Sequence, residues 1–256
     1  MKFRPCIDIH NGKVKQIVGG SLKDAGNQAQ ENFVSEQDAA FYAALYRNAG
    51  IKGGHVILLN GIDSAYYDAT REQALLALKT YPGGLQIGGG ISPENAAAYL
   101  DAGASHVIVT SYVFRNGQLS WENLEKIERA AGRERLVLDL SCRKKDGQYY
   151  IVTDRWQKFT RVPVTLETMS RLGSHCDEFL VHAVDVEGKA KGIETELVSL
   201  LSEYTERPVT YAGGVGSKKD IELLRKYGKG RLDVTVGSAL DLFGGPIPFE
   251  ELRRLY

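Results

Sequence analysis

The sequence predicts an α/β protein with the architecture of a (β/α)8 TIM barrel, and three observations support this fold class. Eight short runs rich in Val, Ile and Leu alternate with segments of helical character. These runs show little polar alternation, which is typical of parallel strands buried on both faces. The chain has 256 residues, a usual length for one such barrel. A doubly wound open sheet is the alternative, although it usually has fewer strands.

Each apolar run gives one predicted strand. In chain order the strands are Phe3–Asp8, His55–Asn60, Leu85–Gly88, Ser105–Thr110, Arg135–Asp139, Glu178–Ala183, Val209–Ala212 and Asp233–Gly237. Several helices between the strands carry recognisable start signals, with serine as the capping residue. These helices open at Ser35-Glu36-Gln37-Asp38, Ser92-Pro93-Glu94-Asn95 and Ser217-Lys218-Lys219-Asp220, and end near Gly50, Gly103 and Gly228.

Composition narrows the class of protein. The formal net charge is zero, which gives no support for nucleic acid or a membrane surface as the main partner. No apolar run approaches the roughly 20 residues of a membrane span, and we expect no signal peptide. Cys6, Cys142 and Cys176 match neither a disulfide framework nor a zinc spacing. We therefore expect one domain over residues 1–256, a cytoplasmic location and a monomer, with Cys6 as a core residue.

Two long connections follow the first and fifth strands. Gly19–Asn32 is polar, and Ser141–Gln157 contains a predicted turn at Asp146-Gly147 and the aromatic Trp156. In a barrel both connections lie at the C-terminal ends of the strands, where active sites of this fold are built. We interpret them as candidate lids, with ordinary surface loops as the alternative.

The second half of the chain repeats the first, which predicts two (βα)4 half-barrels over residues of about 1–131 and 132–256. Strand order is kept, and the matched positions are offset by about 120 to 130 residues. The matched segments are Asp8 with Asp139, Leu58–Asp63 with Leu180–Asp185, Ile87–Ile91 with Tyr211–Val215, and Val107–Ser111 with Val234–Ser238.

The repeated glycine pairs predict two phosphate sites. Each pair, Gly89-Gly90 and Gly213-Gly214, precedes a predicted helix. The strand that follows each helix ends in a serine, which is Ser111 in the first half and Ser238, after Gly237, in the second. Glycine lets backbone N–H groups approach an anion, and a helix N-terminus favours phosphate. We expect a substrate with a phosphate at each end, lying across the barrel mouth, and a short extra helix beginning within residues 237–240. Purely structural turns are the alternative.

Asp8 and Asp139 end the first and fifth strands and so lie between the two predicted phosphate sites. Two carboxylates in such a place can serve as general acid and general base if their surroundings separate their pKa values. A metal site and simple loop capping are the alternatives. The sequence shows no convincing His/Asp/Glu cluster for a metal, so we expect none.

These motifs resemble the phosphoribosylformimino-aminoimidazole carboxamide ribotide isomerases of histidine biosynthesis. The resemblance runs from Phe3 to about Gly245, and the opening segment, residues 4–16, is most similar to the fungal and plant branch. It implies an Amadori rearrangement without a cofactor, in which an aminoaldose ribotide with two phosphates becomes its aminoketose. It also implies that Asp8 is the base, that Asp139 is the acid and that Trp156 stacks on the imidazole of the substrate. Loop anchoring is the alternative for Trp156.

The chain departs from the family pattern at three places. His182-Ala183 stands where many bacterial members have Thr-Asp or Thr-Glu, and Glu187-Gly188 follows where they have Asp-Gly. We expect His182 to replace the threonine as a hydrogen-bonding partner near the acid, with a polar strand cap as the alternative. Thr110-Ser111 replaces Gly-Thr, which leaves the phosphate-binding hydroxyl open. The loop after Asp139 is longer.

Two other functions fit parts of this pattern. The cyclase subunit of imidazole glycerol phosphate synthase shares the repeat, both aspartates and both phosphate sites, but needs ammonia from a glutaminase. The segment after Asp8 is closer to the isomerase branch. A non-catalytic barrel that binds phosphosugars is the second alternative. Two phosphates would not favour additional negative charge from Asp8 and Asp139 between them, so we expect an enzyme.

Overall fold

Eight parallel strands close into a barrel in the computed structural model, which describes residues 1–18, 21, 29–154 and 156–255. The strands are β1 Cys6–His10, β2 Gly54–Leu58, β3 Leu85–Gly88, β4 Val107–Val109, β5 Leu136–Asp139, β6 Glu178–His182, β7 Val209–Ala212 and β8 Asp233–Thr235. Barrel strands that are adjacent in the sheet are also consecutive barrel strands along the chain. Phe3 bridges Val234, and Arg4 N donates to Val234 O at 2.8 Å, which joins β1 to β8. The predicted barrel is confirmed, and the open sheet is excluded.

The first strand begins and ends later than predicted. Phe3 contributes to the closure with β8 instead of to β1. At the other end β1 continues beyond Asp8, because Ile9 and His10 pair with the antiparallel strand Lys13–Ile17. Asp8 therefore lies inside β1 and not at its last position. The other strand ends differ from prediction by at most two residues, and β3 and β7 match it.

Eight α-helices occur in the described part of the chain, one after each barrel strand. They are α1 Ala39–Asn48, α2 Tyr67–Thr80, α3 Pro93–Asp101, α4 Trp121–Ala131, α5 Leu166–Gly173, α6 Thr195–Ser202, α7 Lys218–Tyr227 and α8 Phe249–Leu252. Ser92 and Ser217 cap α3 and α7 as predicted. The cap of α1 is Asp38, the last residue of the predicted opening segment: its side chain accepts from Phe41 N, while the Ser35 hydroxyl hydrogen-bonds to the backbone of Gln37.

The predicted connection Gly19–Asn32 falls largely outside the described residues. Its flanks form an antiparallel pair, Lys13–Ile17 with Glu31–Val34. The connection after β5 forms a three-stranded antiparallel sheet from Cys142–Lys145, Gln148–Thr153 and Lys158–Pro163. Its first hairpin turns at Asp146-Gly147, where both residues have positive φ, as a tight hairpin turn requires.

The core has an inner and an outer layer. Ile108, Val137, Leu180 and Ala212 pack together inside the barrel, while the larger cluster lies between strands and helices. The N-terminal ends of the strands hold a buried polar group instead. Thr210 Oγ1 donates to Glu178 Oε1 at 2.7 Å, and Gln86 Nε2 donates to Glu178 Oε2 at 3.1 Å. Within the described residues, no helix is long and apolar enough to cross a membrane.

Candidate active site

A cavity of about 830 Å³ opens at the C-terminal ends of the barrel strands. Every site residue predicted from the sequence lines it: Asp8, Gly89, Gly90, Ser111, Asp139, Trp156, His182, Gly213, Gly214, Gly237 and Ser238. These residues come from seven of the eight barrel strands and the loops that follow them. Barrel closure therefore gathers positions that are up to 230 residues apart, from Asp8 to Ser238.

The first glycine pair brings its backbone close to β2. Gly89 has a φ of +99°, and a Cβ there would lie 2.1 Å from Leu58 O. Any side chain would clash, so this glycine serves the packing as well as any anion site. Gly90 has a φ of +70°, but a Cβ there would meet no atom within 4 Å. The loop then leads into α3, whose N-terminal N–H groups are suited to an anion.

The second glycine pair has the same relation to α7. A Cβ on Gly214 would lie 2.1 Å from Gly192 O, so the loop after β6 packs directly on it. Gly237 and Ser238 follow β8 on the same side of the cavity mouth. The extra helix predicted to begin within residues 237–240 is absent from these positions. A single 3-10 turn, Asp241–Phe243, begins one residue later, because Leu240 is extended.

Asp139 is surrounded by hydrogen-bond donors. Ser141 donates to Oδ1 through both its backbone N and its hydroxyl, each at 2.8 Å, and Thr110 Oγ1 donates to Oδ2 at 3.1 Å. Burial alone raises the pKa of a carboxyl group, but the His182 charge and these hydrogen bonds outweigh burial and lower the pKa of Asp139. Because Thr110 bonds to Asp139, Ser111 is the hydroxyl left for a ligand.

His182 forms an ion pair with Asp139. Its Nδ1 lies 3.3 Å from Asp139 Oδ1, and both side chains are largely buried. Burial disfavours the charged imidazole, but the negative charge of Asp139 outweighs it and raises the pKa of His182 to about 9. The proton of this pair therefore resides on the imidazole at neutral pH. The sequence predicted that His182 lies near Asp139, and in the structure it does.

Asp8 has the opposite surroundings. Gln16 Nε2 is its hydrogen-bond donor at 3.3 Å, and Glu187 lines the cavity nearby. Burial, followed by repulsion from Glu187, raises the pKa of Asp8 to about 7. Burial also raises the pKa of Glu187, whose Oε2 is buried and accepts no hydrogen bond from the described residues. The two aspartates thus have pKa values displaced in opposite directions.

Trp156 lies between the strands Gln148–Thr153 and Lys158–Pro163 of the three-stranded sheet after β5, and it lines the cavity. Its Nε1 donates to Ser141 Oγ at 3.0 Å, and its ring centroid lies 5.8 Å from that of His182. The side chain is half-buried, with the remainder of the ring facing the cavity. Both roles considered for Trp156 fit this placement, because the indole N–H anchors the loop while the ring borders the ligand space.

The sequence left several polar residues of the site unidentified. Gln16, His55 and Ser141 line the cavity or hydrogen-bond to an aspartate. Ser141 lies two residues after Asp139, so proximity in the sequence was a usable signal for it. His55 carried no such signal, because inward and outward positions of a doubly buried strand look alike in composition. Gln16 carried none because it lies on Lys13–Ile17, a strand outside the barrel that was not predicted.

Among the residues that the structure describes, one group of potential metal ligands is present. Side-chain atoms of Cys6, Asp8 and His55 all lie within 4.8 Å of one another. Burial, followed by the nearby His182, lowers the pKa of His55 to about 3, so its imidazole is uncharged. The expectation that no metal-ligating cluster exists overlooked this group, because it includes a thiol from one strand and an imidazole from the next.

Comparison with known proteins gives one family and many relatives. Residues 2–245 match the family described as "Histidine biosynthesis protein". The relatives bear the name 1-(5-phosphoribosyl)-5-((5-phosphoribosylamino)methylideneamino) imidazole-4-carboxamide isomerase. The chloroplastic relative from Medicago truncatula is 56% identical over 256 residues, which is 98% of this chain and 80% of the relative. Relatives from Neurospora crassa (45% over 247 residues, 95% of this chain and 93% of the relative) and Saccharomyces cerevisiae (41% over 261 residues, 99% and 97%) are similar along nearly their whole length.

Proposed function

This chain belongs to the histidine biosynthesis protein family, and we propose that it is the isomerase for which its relatives are named. It converts an aminoaldose ribotide with two phosphates, N′-((5′-phosphoribosyl)formimino)-5-aminoimidazole-4-carboxamide ribotide, to the aminoketose. The observation that carries this proposal is the cavity itself. Glycine loops that suit phosphate lie on opposite sides of its mouth, and two carboxylates with oppositely displaced pKa values lie between them.

We assign the base to Asp8. The reaction requires a proton to be removed from C2 of the ring-opened imine, and the electron pair then forms the enolamine. Asp8 lies on the cavity floor, and its pKa of about 7 is close to the range in which a general base is most effective. The enolamine then gains a proton at C1 and loses its hydroxyl proton as it becomes the ketose. The protons gained at the ring oxygen and at C1 thus balance those lost from C2 and from the hydroxyl group.

We assign the acid to the pair of Asp139 and His182. Ring opening requires a proton on the furanose oxygen. Asp139 alone was expected to supply it, but its lowered pKa leaves the carboxylate without a proton at neutral pH in the free protein. His182 holds the proton of the pair, with a pKa of about 9. We therefore infer that the proton comes from the pair, with Asp139 orienting the imidazole and stabilising its charge.

The remaining predicted residues hold the substrate. Gly89, Gly90 and Ser111 take one phosphate, and Gly213, Gly214, Gly237 and Ser238 take the other. We expect Trp156 to stack on the imidazole of the substrate. No cofactor enters this scheme, and neither nucleic acid nor a membrane is needed as a partner. Because one chain supplies every residue of the site, we propose that the monomer is active, which sedimentation of the active protein would test.

The test is direct conversion. Purified protein is mixed with the aminoaldose ribotide, without a partner protein, and formation of the ketose is followed by coupling to a cyclase–glutaminase preparation. We expect turnover. No turnover here, together with cyclisation of the ketose when ammonia is supplied, would identify the cyclase instead. Neither reaction, with retained binding of the ribotide, would favour the non-catalytic barrel.

We propose a reducing compartment, and specifically the cytoplasm. All three cysteines are buried and unpaired, which suits a reducing environment. The relative from Medicago truncatula is named as chloroplastic, so the chloroplast is the alternative. Imaging of the natural full-length protein fused to a fluorescent protein would separate the two.

A further inference from the structure

Three side chains of the types that bind metal ions lie close together on the cavity floor because of the strand geometry. Cys6 and Asp8 are two residues apart on β1, so both point to the same face of the sheet. His55 on β2 lies opposite Cys6 in the parallel pairing of the two strands, so its side chain points to that same face. The thiol sulfur, a carboxylate oxygen and an imidazole nitrogen all lie within 4.8 Å of one another. All three residues line the cavity and are reached from its mouth.

Their other contacts leave room for a cation. Cys6 Sγ accepts a hydrogen bond from Gln16 Nε2 at 3.6 Å, and Asp8 Oδ2 accepts from the same nitrogen at 3.3 Å. The His55 ring touches His182 edge-on, with centroids 6.1 Å apart. In the described part of the chain, the His55 imidazole makes no hydrogen bond. An uncharged imidazole with such a lone pair is a ready metal ligand.

The chemistry of the donors selects a particular kind of ion. A thiolate with an imidazole and a carboxylate suits Zn²⁺ and similar ions of intermediate softness, whereas Mg²⁺ and Ca²⁺ prefer oxygen ligands alone. Bonds of about 2.0–2.3 Å would bring tetrahedral ligand atoms to roughly 3.5 Å from one another. The side chains would therefore have to converge by about an ångström, which small side-chain rotations can supply.

We propose that Cys6, Asp8 and His55 form a three-ligand site for one thiophilic divalent cation, such as Zn²⁺, with the fourth position open to the cavity. Binding replaces the thiol S–H bond by a metal–sulfur bond and releases that proton to solvent. The cation also coordinates the carboxylate of Asp8. Zn²⁺ is therefore an inhibitor that competes with substrate, a consequence that rests on the proposed role of Asp8 as base.

Optical titration with Co²⁺ tests the site without any assay of turnover. Co²⁺ bound by a thiolate gives a near-ultraviolet charge-transfer absorption, which we expect to saturate at one ion per chain. Zn²⁺ should abolish this absorption, and excess Mg²⁺ should leave it unchanged. Absence of the absorption at saturating Co²⁺, or its loss on adding Mg²⁺, would overturn the proposal.

Variants locate the ligands. Cys6→Ser should remove the charge-transfer absorption, while Cys176→Ser, at another buried cysteine outside the cavity, should keep it. His55→Gln retains the thiol, so it keeps a weak absorption and remains informative even if Cys6→Ser folds poorly. We expect its Co²⁺ affinity to fall by more than the roughly 10- to 100-fold lost with an outer-shell partner. Unchanged affinity in His55→Gln, or an unchanged absorption in Cys6→Ser, would refute the site.

Inhibition is measured separately. Zn²⁺ should inhibit the wild type in competition with substrate, and a chelator should restore turnover fully. A site that binds Co²⁺ as predicted but leaves turnover unaffected would contradict the role of Asp8 as base while the metal site stands. Inhibition that persists in His55→Gln with unchanged Zn²⁺ sensitivity would place the inhibitory ion elsewhere and overturn the proposal.

Discussion

At the residue scale, two aspartates on equivalent strands differ because of their immediate neighbours. Asp139 accepts hydrogen bonds from Ser141 and Thr110 and pairs with His182. Asp8 has one amide donor and the buried carboxyl group of Glu187 nearby. Burial is common to both, so the donors and the cation decide the direction of each pKa change. This difference is what allows an acid and a base to work in one cavity.

The pair of His182 and Asp139 can be tested by removing the negative charge. In Asp139→Asn the charge that favours the imidazolium is lost while its burial remains. We therefore expect the pKa of His182 to fall from about 9 toward the ordinary histidine value, because Glu187 and Asp8 still favour the charged imidazole. A pH titration of the His182 ring followed by NMR measures this. The control is Asp185→Asn, at a carboxylate that pairs with Arg143 instead. A pKa of His182 that stays near 9 in Asp139→Asn would contradict the ion pair.

The aspartates could be predicted from the sequence because each ends an apolar run, and the glycines because they recur in pairs. His55 and Gln16 could not, and Glu187 was noted only because it stands where the family has Asp-Gly. Each reaches the cavity only through barrel closure or through pairing of a strand outside the barrel, as Gln16 does from Lys13–Ile17. Their inward direction is a property of the folded sheet and leaves no trace in local composition.

At the element scale, the glycine loops combine a packing role with a proposed binding role. Gly89 and Gly214 could not carry a Cβ in this fold, whatever the protein binds. Gly90 differs, because its φ of +70° is strained for other residues while the space beside it is open. A substitution at Gly90 can therefore test ligand binding without disturbing the packing of the loop.

We predict that Gly90→Ala raises the KM of the substrate, because the added methyl group enters the space proposed for phosphate. Strain at this positive φ should also reduce stability by about 1–2 kcal/mol. Gly83→Ala is the matched control: it has the same φ of +70° and equally open surroundings, but lies outside the cavity. Thermal unfolding should show similar losses for both variants, and kinetics should show a raised KM for Gly90→Ala alone. Equal KM values would argue against a phosphate site at this loop.

The loop after β5 can be followed through Trp156. The chain has two tryptophans, and Trp121 packs against Arg171 away from the cavity. In a Trp121→Phe protein the fluorescence therefore reports on Trp156 alone. We expect substrate or product to change its intensity, because a ring that stacks on the ligand exchanges water for an aromatic neighbour. An unchanged spectrum at saturating ligand would leave loop anchoring as the role of Trp156.

Element order and type followed from the sequence, but several boundaries did not. The Ser92 and Ser217 caps were predictable because serine precedes a helix with a suitable third residue. The end of β1 was not, since the antiparallel strand Lys13–Ile17 extends it beyond Asp8. The three-stranded sheet after β5 was not predicted, because the sequence analysis interpreted Ser141–Gln157 only as a long connection and candidate lid.

At the scale of the whole molecule, stability and chemistry lie at opposite ends of the barrel. Glu178 starts β6 at the N-terminal end, where Gln86 and Thr210 donate to its two oxygens. Arg4 Nη2 lies 3.6 Å away and also pairs with Asp233. The proposed catalytic residues stand at the other end, as is general for this fold. The duplicated halves, about 1–131 and 132–256, remain a prediction.

Glu178→Ala should destabilise the protein by about 3 kcal/mol, since it leaves the buried Gln86 and Thr210 groups without their acceptor. Because the site is remote from the cavity, the KM of the folded enzyme should stay near the wild-type value. Denaturant unfolding gives the free energy of unfolding. Glu122→Ala, which removes an exposed partner of Lys126, serves as the control and should have little effect. Equal losses in the two variants would contradict a structural role for the buried group.

The most direct test of the account concerns Asp8 as the base that removes the C2 proton. Equilibrium binding and turnover of the aminoaldose ribotide are measured side by side for wild type, Asp8→Asn and Asp63→Asn, the last at an exposed carboxylate outside the cavity. We predict that Asp8→Asn loses roughly 100- to 10,000-fold in kcat while its Kd changes only a few-fold, and that Asp63→Asn matches wild type. Turnover retained in Asp8→Asn, or lost only through weaker binding, would contradict the assignment.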